Sequence, residues 1–446
     1  MSIGANRLDA MRNVIVCMAA ILFSLFLGGC SPPWEDEVSI TMPEDIAQAS
    51  QDVSEEIGVD VYWDATYSMY GYTTLAAGNA YRTLPDELGD IGDSMGQVRF
   101  FRFGAEVMPM EGREYRKFSD PGAYTELITA VHNVVDKADP NHLSIIVTDL
   151  FESDSDWSNV TKKLKDKYFA RHMAVAIIGI KNSFNGDIFD VGLNAAKFTY
   201  DSGDNPAMFR PFYLFIMGPE QSVREFMERW KERQAMPNET QYLLLSENLT
   251  ESANDFSQLT LQEGGQNLYE DEQLGITDKR IKEFGINDMG SPAVLSVQFK
   301  YQPVFGACPL NMETLKSSVR VLSLEEGENG ERAWQVSTME NDAKVEVVPS
   351  PDQPGSYSVT LRFTPERTLS PDRINFIHVS VAPDAKGYQL PEWVKAWNMP
   401  NVDVAPDQFD GSKTINFLHV VESLKNSALA AAHPSLVNMN LVIDNR

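Results

Sequence analysis

Val59-Asp-Val-Tyr-Trp-Asp64, followed directly by Ala65-Thr-Tyr-Ser-Met-Tyr-Gly71, contains the strongest structural signal in the chain. The first six residues have the apolar character of a strand that is covered on both faces. The next seven place hydroxyl side chains on the turn into a helix. In open α/β sheets, ligands bind beyond the carboxyl ends of the strands. A strand that ends on an aspartate and leads into hydroxyl residues therefore predicts a polar site at that edge.

Further apolar segments of similar character lie downstream, and helical stretches separate them. We place strands at 59–64, 98–103, 143–149, 173–180 and 212–217, and helices at 124–137, 157–169 and 221–231. This alternation is typical of an α/β domain with a doubly wound, mostly parallel sheet. We predict such a domain over residues 57–234.

Beyond residue 235 the period of the apolar residues changes to two, as in Leu295 and Val297, which indicates antiparallel strands with one face in water. We place strands at 295–301, 318–324, 332–337, 344–348, 357–363, 377–381, 415–421 and 436–443. The segment 290–385 predicts a β-sandwich of about immunoglobulin size. We therefore expect a connecting region over 235–289 and a β-rich domain over 290–446.

Composition excludes two classes of partner. The chain has 446 residues, 43% of them hydrophobic, which is enough for more than one folded domain. Its 37 Lys and Arg against 64 Asp and Glu give a formal charge of −27. Nucleic acid and anionic lipid surfaces both require a basic footprint, so neither is expected as a surface partner. Cys17, Cys30 and Cys308 do not make a disulfide framework.

The N-terminus has the layout of an export signal. Arg7 and Arg12 precede an uncharged apolar run that ends at Gly29, so residues 1–29 predict a signal peptide rather than a stable membrane span. Residues 30–56 contain several prolines and many acidic residues without a sustained apolar period. That composition predicts an acidic tether.

Leu27-Gly-Gly-Cys30 resembles the bacterial lipobox. The resemblance implies that Cys30 becomes the lipidated, palmitate-bearing N-terminal residue of an extracytoplasmic protein anchored to the cell envelope. Ser31 stands where many inner-membrane lipoproteins have Asp, which favours the outer membrane if the cell is Gram-negative. An ordinary signal peptide or an uncleaved anchor helix is the alternative.

Five oxygen-bearing residues are expected at the ends of strands and the starts of helices: Asp64, Thr66, Ser68, Thr125 and Asp149. A hard cation such as Mg²⁺ prefers oxygen ligands and keeps several waters. The five residues therefore predict a site for Mg²⁺, with Ca²⁺ or Mn²⁺ as substitutes. Because much of the coordination would be through hydroxyls and water, a position stays open for an oxygen from a partner.

The segment Asp64-Ala-Thr-Tyr-Ser-Met-Tyr-Gly71 resembles the Asp-x-Ser-x-Ser-Met-x-Gly motif of von Willebrand factor type A domains. The resemblance implies a Rossmann-like fold with a metal ion-dependent adhesion site. In such a site Thr66 and Ser68 would contact the cation directly and Thr125 directly or through water. Asp64 and Asp149 would act mainly through water, and an acidic side chain of a protein partner would complete the coordination.

Two positions depart from that motif pattern, and two tyrosines lie beside it. Thr66 replaces the usual Ser, and Leu150 follows Asp149 where the family commonly has Gly. Tyr67 and Tyr70 are predicted to contact the partner, because tyrosines are enriched in binding surfaces. The alternative is that both pack against the strand and the helix.

Enzymatic alternatives have weaker support. The histidines lack metal-ligand spacing, and Gly92-Asp-Ser-Met-Gly96 matches a nucleophile elbow without the strand that must precede it. A metal-dependent phosphoester hydrolase built on Asp64 and Asp149 is the best of them, although no Lys or Arg is expected at that sheet edge to hold phosphate. We predict a non-enzymatic lipoprotein that binds its partner through a metal. A structural envelope protein with an empty site is the third possibility.

Overall fold

The computed structural model describes residues 40–43, 46, 57–74, 79–150, 157–192, 194–233, 240–246, 260–262, 267–300, 305, 314–327, 329, 331–350, 356–383, 387–432 and 435–446. The predicted signal peptide 1–29, the lipid anchor Cys30, most of the tether 30–56 and Cys308 lie outside these residues. Contacts divide the chain into two units. One contains residues 1–41 and 272–277, and its described part is short and irregular. All features below belong to the other unit, residues 42–271 and 278–446.

The α/β part contains a mixed sheet and its covering helices. Its strands are β1 (Val59–Asp64), β2 (Val98–Phe103), β3 (Val107–Pro109), β4 (Leu143–Thr148), β5 (Ala174–Asn182), β6 (Asn185–Val191), β7 (Ala196–Asp201), β8 (Arg210–Gly218) and β9 (Thr240–Leu245). Its helices are α1 (Tyr67–Tyr70), α2 (Leu84–Met95), α3 (Val131–Lys137), α4 (Trp157–Lys167) and α5 (Glu220–Arg233). The five predicted strands are all present.

Within the described residues, seven strands form the sheet in the order β3-β2-β1-β4-β8-β5-β9. Only the two pairs that β1 makes, with β2 and with β4, are parallel. The other four pairs are antiparallel, so the prediction of a mostly parallel sheet was wrong. The chain leaves β5, passes through the hairpin β6–β7 and returns beside β5 as β8, which reverses the direction. Since β8 is buried throughout, its apolar run looks the same in either orientation.

Both faces of the sheet are buried in apolar clusters. Val61 and Trp63 of β1 pack in the cluster that includes Leu88 of α2. Tyr62 of β1 packs in the opposite cluster, with Val134 of α3. Side chains of β1 therefore alternate between the two clusters, and Asp64 lies at the carboxyl end of the strand.

Helix α3 begins seven residues later than the sequence predicted. The backbone of Glu126 bonds to the turn between β1 and α1 and is not available for a helix. Its N–H donates to the carbonyl of Ala65 over 3.0 Å, and its carbonyl accepts from Tyr67 N over 3.1 Å. Residues 124–130 therefore run beside the β1–α1 turn as a short bridge. The predicted helices at 157–169 and 221–231 are present as α4 and α5.

The β-rich part contains two larger sheets. Its strands are β10 (Thr260–Gln262), β11 (Leu268–Glu270), β12 (Ile281–Ile286), β13 (Ala293–Lys300), β14 (Leu315–Glu326), β15 (Arg332–Val336), β16 (Lys344–Pro349), β17 (Ser356–Phe363), β18 (Ile374–Pro383), β19 (Asn398–Met399), β20 (Thr414–Ile415) and β21 (Val437–Asp444). The helices are α6 (Pro365–Thr368), α7 (Glu392–Ala396) and α8 (Phe417–Ala432). One sheet has the order β10-β13-β17-β16 and the other β11-β12-β21-β18-β14-β15.

Buried side chains of the two sheets, such as Leu361 and Val379, belong to one apolar cluster. The sandwich-like character is therefore present, but it extends beyond the predicted limits of 290–385, because β10 to β12 and β21 take part. Strand β9 lies beyond the predicted boundary at residue 234 and completes the edge of the mixed sheet.

The strand predicted at 415–421 was wrong. Only Ile415 belongs to a strand there, and helix α8 starts at Phe417. The buried residues Phe417, Val420, Val421 and Leu424 follow the helical spacing i, i+3, i+4 and i+7. The β-branched residues Ile415, Val420 and Val421 at the two ends of the segment resembled a strand only when it was read over a short window.

No helix in the described part of the chain is both long enough and apolar enough to cross a membrane.

Candidate cation-binding cleft

The two aspartates of the predicted site lie side by side at one edge of the mixed sheet. Strands β1 and β4 are parallel neighbours, with Trp63 in register with Val147. Asp64 ends β1 and Asp149 directly follows β4, so both side chains are at the carboxyl edge, as the sequence predicted. Both are buried, at 0% and 4% exposure.

Hydroxyl groups surround the carboxylate of Asp64. Its Oδ1 accepts hydrogen bonds from the backbone N–H of Thr66 over 3.1 Å and from Thr66 Oγ1 over 2.7 Å. Its Oδ2 accepts from Thr148 Oγ1 over 3.0 Å. Ser68 Oγ lies 3.0 Å from Thr66 Oγ1. Asp64, Thr66 and Ser68 are thus brought together, and Thr148 joins them.

Thr125 does not join this cluster, and the structure brings Thr129 there instead. Thr125 is exposed, on the bridge beside the β1–α1 turn. Thr129 is 2% exposed, and its Oγ1 donates to Thr66 Oγ1 over 3.2 Å. The sequence did contain a signal for it, because Thr129 stands two residues before the apolar periodic run that begins at Val131. The early helix start therefore led to Thr125, four residues before the hydroxyl that joins the cluster.

The electrostatics at Asp64 are those of a crowded acidic site. Burial, and secondarily the negative charge of Asp149, raise the pKa of Asp64 to about 7 from an ordinary value of 3.8. Hydrogen bonds from Thr66 and Thr148 to the ionised carboxylate offset part of that increase. A divalent cation would favour the charged form of both aspartates.

The donor set fits a hard cation and does not fit zinc. Among the described residues no group of three or more His, Cys, Asp and Glu side chains is placed to hold a metal. The cluster offers instead two carboxylates and three hydroxyls, from Asp64, Asp149, Thr66, Ser68 and Thr129. Oxygen donors of this kind suit Mg²⁺, Mn²⁺ or Ca²⁺ that keep some of their water.

Leu150 adopts the backbone conformation that favours glycine. Its φ is +60°, in the left-handed region, and the residue is buried at 3% exposure. Its N–H donates to Thr148 Oγ1 over 3.2 Å. A non-glycine residue pays about 1–2 kcal/mol for this conformation. Leu150, which stands where the type A motif commonly has Gly, therefore adopts the backbone conformation of a glycine turn at an energetic cost.

A cleft of about 340 Å³ opens over the cluster. Its walls come from the ends of β1 and β4 with the bridge beside them, the hairpin β6–β7, the starts of α4 and β8, and the C-terminal region around the start of α8. The lining residues are Thr66, Tyr67, Ser68, Leu127, Thr129, Asp149, Leu150, Trp157, Asp187, Ile188, Phe189, Asp190, Arg210, Asn401, Thr414, Ile415, Asn416 and Val420. The site is thus a walled cleft rather than a flat sheet edge.

The wall from the C-terminal region is fixed to β8. Arg210 Nη1 donates to the carbonyls of Gly411 and Lys413, over 3.1 and 2.8 Å. The hydroxyls of Tyr213 and Thr414 are 2.8 Å apart, and the ring of Tyr213 stacks on Phe417 with centroids separated by 4.8 Å. The β-rich part of the chain therefore helps to build the cleft.

Arg210 corrects the expectation that this sheet edge lacks a basic residue. Because β8 runs antiparallel to β4, its first residue lies at the carboxyl end of β4. Arg210 is 3% exposed and lines the cleft. The mostly parallel sheet assumed from the sequence would have placed residue 210 at the opposite edge.

The predicted partner-contact tyrosines lie on an exposed apolar rim beside the cleft. Tyr67 is 46% and Tyr70 37% exposed, and Tyr67 also lines the cleft. Leu127 and Ile128 on the neighbouring bridge are 82% and 51% exposed. Neither of these aliphatic residues was predicted from the sequence to contact a partner.

The nucleophile-elbow match at Gly92–Gly96 has no strand before it. Ser94 lies in the last turn of α2, where its Oγ donates to the carbonyl of Ile91 over 2.6 Å. That hydroxyl caps a helical carbonyl and is not presented on a strand-to-helix turn.

Comparison with known proteins adds no assignment: no family model matches the chain, and no significant match to a curated protein was found. The resemblance to type A domains therefore rests on the motif residues alone.

Proposed function

We propose that this protein binds the acidic side chain of a protein partner through a divalent cation held at the carboxyl ends of β1 and β4. The observation that carries the proposal is the buried Asp64–Asp149 pair surrounded by hydroxyls. Every hydrogen bond that Asp64 accepts from the described residues comes from a neutral donor. Burial and the charge of Asp149 make ionisation of Asp64 unfavourable, and a bound Mg²⁺ would compensate that negative charge.

In this proposal Thr66, Ser68 and Thr129 would hold the cation, and Asp64 and Asp149 would orient its waters. The cation would supply a positive charge to which the partner's carboxylate oxygen binds. Thr129 replaces Thr125 in this role because only Thr129 lies within hydrogen-bonding distance of the cluster.

The exposed rim supports a macromolecular partner. Tyr67, Tyr70, Leu127 and Ile128 present apolar surface to solvent beside the cleft. Exposed apolar groups that surround a polar site are typical of protein interfaces, where aromatic residues contribute strongly. The partner would contact this rim while its acidic side chain enters the cleft.

The N-terminal sequence supports a location for this activity. The lipobox-like Leu27–Cys30 favours a lipid anchor on Cys30, followed by the acidic tether. The binding domain would then be held outside the cytoplasm at the cell envelope. Labelled palmitate should enter the native protein, and Cys30→Ala should abolish both the label and the processing.

Partner capture with and without chelator tests the proposal. The immobilised protein should retain a partner from an envelope extract in Mg²⁺ and release it in EDTA. Ser68→Ala should fail to retain it, whereas Thr125→Ala, a matched loss of one hydroxyl on the nearby bridge, should retain it. Retention that is equal in Mg²⁺ and EDTA would refute a metal-bridged contact.

Arg210 favours one second candidate, a metal-dependent phosphoester hydrolase. The guanidinium of Arg210 lies in the same cleft as the cation cluster and could hold a phosphate group. No such basic residue was expected at this edge from the sequence. Turnover of p-nitrophenyl phosphate in Mn²⁺ that disappears in Asp64→Asn would support this candidate. No turnover above that of the Asp64→Asn protein would leave binding as the better account.

A further inference from the structure

Arg210 is a buried cation without an anionic partner. It is 3% exposed, and no carboxylate of the described residues lies within ion-pairing distance of its guanidinium. Two backbone carbonyls accept from its Nη1, and the ring of Phe184 lies 5.5 Å from the guanidinium carbon. Its Nε has no acceptor among the described residues.

Such a charge is costly unless something in the cleft compensates it. Burying an ionised group without an opposite charge is strongly unfavourable, because the group loses its hydration. Arginine cannot escape that penalty by losing its proton. Guanidinium groups pair with carboxylate and phosphate, often through two parallel hydrogen bonds.

A second feature of the same wall also favours an anion. Helix α8 has 16 residues, and the residues that lead into it, Thr414, Ile415 and Asn416, line the cleft together with Arg210. The N-terminus of a helix carries the positive end of the helix dipole, which favours an anion. In α8 the N–H of Leu418 already donates to Asn398 Oδ1 over 2.9 Å, so the helix dipole is the main contribution of this turn. The contacts of Arg210 with Gly411 and Lys413 hold this helix start near the guanidinium.

We propose that Arg210 and the first turn of α8 form an oxyanion subsite in the wall of the cleft, which takes a phosphate or carboxylate group of the ligand. This inference rests on the proposed function only in that both features share the cleft. Asp149, Asp187 and Asp190 line the cleft as well, and they oppose an incoming anion. Lys197 and Thr199 engage Asp187, and a cation at the site would offset Asp149. Oxyanion binding should therefore strengthen when Mg²⁺ is present.

Titration calorimetry of the full chain with inorganic phosphate and, separately, with malonate tests the subsite. Each titration is run at matched ionic strength in Mg²⁺ and in EDTA. We expect saturable one-to-one binding of at least one probe, tighter in Mg²⁺ than in EDTA, and the tighter probe identifies the preferred oxyanion. No saturable binding of either probe under either condition would overturn the inference.

Three variants assign the binding to the named wall. Arg210→Gln should weaken it by roughly tenfold or more, the scale of one charge-assisted hydrogen bond. Arg210 also anchors Gly411 and Lys413, so its loss could disturb folding, and a second variant leaves those bonds in place. Asn416→Asp adds one negative charge at the helix start, and aspartate tolerates the left-handed φ of +57° there. Asn416→Asp should weaken binding similarly, whereas Arg116→Gln, an exposed arginine elsewhere, should leave it unchanged.

The outcomes separate this inference from the proposed function. Phosphate or malonate binding that Asn416→Asp leaves intact would show that the cation alone holds the anion, and the subsite would be wrong. Anion binding that depends on Arg210 and Asn416 in a protein that binds no Mg²⁺ would instead keep the subsite and refute the cation proposal.

Discussion

Asp64 makes the stability of the cation-free protein depend on pH. Its pKa is raised to about 7 in the folded chain by burial and by Asp149, and in the unfolded chain it returns to about 3.8. The folded state therefore binds the proton more tightly. The stabilisation from the protonated group is complete below about pH 4 and is lost as pH rises to about 7.

We expect urea unfolding in EDTA to show the native protein losing stability from pH 4 to pH 7 relative to Asp64→Asn, by on the order of 4 kcal/mol. The asparagine cannot ionise, so Asp64→Asn should lack this component. Asp204→Asn, an exposed aspartate on a loop, should keep the native pH profile. If the profiles of native protein and Asp64→Asn run parallel, the carboxylate pair is not strained by charge.

Thr129 and Thr125 give a second residue-level prediction. Thr129→Val removes a buried hydroxyl 3.2 Å from Thr66 Oγ1 and should weaken Mn²⁺ binding by roughly tenfold or more. Thr125→Val removes an exposed hydroxyl and should leave the affinity unchanged. Calorimetry on the two variants compares them directly, and the reverse order would restore the residue predicted from the sequence.

At the level of single residues, the sequence identified most of the carboxylate and hydroxyl residues of the cluster. Asp64, Thr66 and Ser68 are close in sequence, and Asp149 follows a plainly apolar strand, so local pattern was sufficient. Thr125 lies outside the cluster because the start of α3 depends on a backbone bridge between residues 65–67 and 126. That bridge is a contact across 60 residues of chain, which periodicity cannot reveal.

The turn after β4 gives a prediction for a structural element. Leu150→Gly and Leu150→Ala both lose the buried side chain, but only glycine is free of strain at φ +60°. We therefore expect Leu150→Gly to be more stable than Leu150→Ala by about 1 kcal/mol, the reverse of the usual order. Urea unfolding measures the difference, and an alanine variant that is the more stable would show that this turn is unstrained.

The contact between β8 and the segment before α8 gives a second prediction for structural elements. Tyr213 and Thr414 share a buried hydrogen bond of 2.8 Å. A double-mutant cycle with Tyr213→Phe and Thr414→Val should give a coupling free energy of about 1 kcal/mol. Additive losses would mean that this bond does not help to fix the wall of the cleft.

Elements were predicted well wherever one local period dominated. The strands at 59–64 and 98–103 and the helices at 157–169 and 221–231 needed no distant information. The direction of β8 did need distant information. A strand that is buried on both faces has the same apolar composition whichever way it runs in the sheet. The sequence therefore predicted no basic residue at this edge, and Arg210 was missed as a feature of the cleft.

For the whole molecule, the cleft depends on parts of the chain that are far apart in sequence. Asp149 from the mixed sheet and Asn416 from the C-terminal region line the same cleft of about 340 Å³. The sequence divided these parts between residues 57–234 and 290–446 and gave no reason to expect them to meet. Association of separate regions is decided by tertiary packing, here by Tyr213 stacking on Phe417.

The central claim is that this cluster of carboxylates and hydroxyls binds a divalent cation. Titration calorimetry of the metal-free protein with Mn²⁺ tests it most directly, with Ser68→Ala as the site variant and Thr125→Ala as the control. We predict one saturable site in the native protein and in Thr125→Ala, and a loss of binding in Ser68→Ala. No heat and no thermal stabilisation in the native protein, or equal binding by all three proteins, would contradict the account and favour a structural role in the envelope.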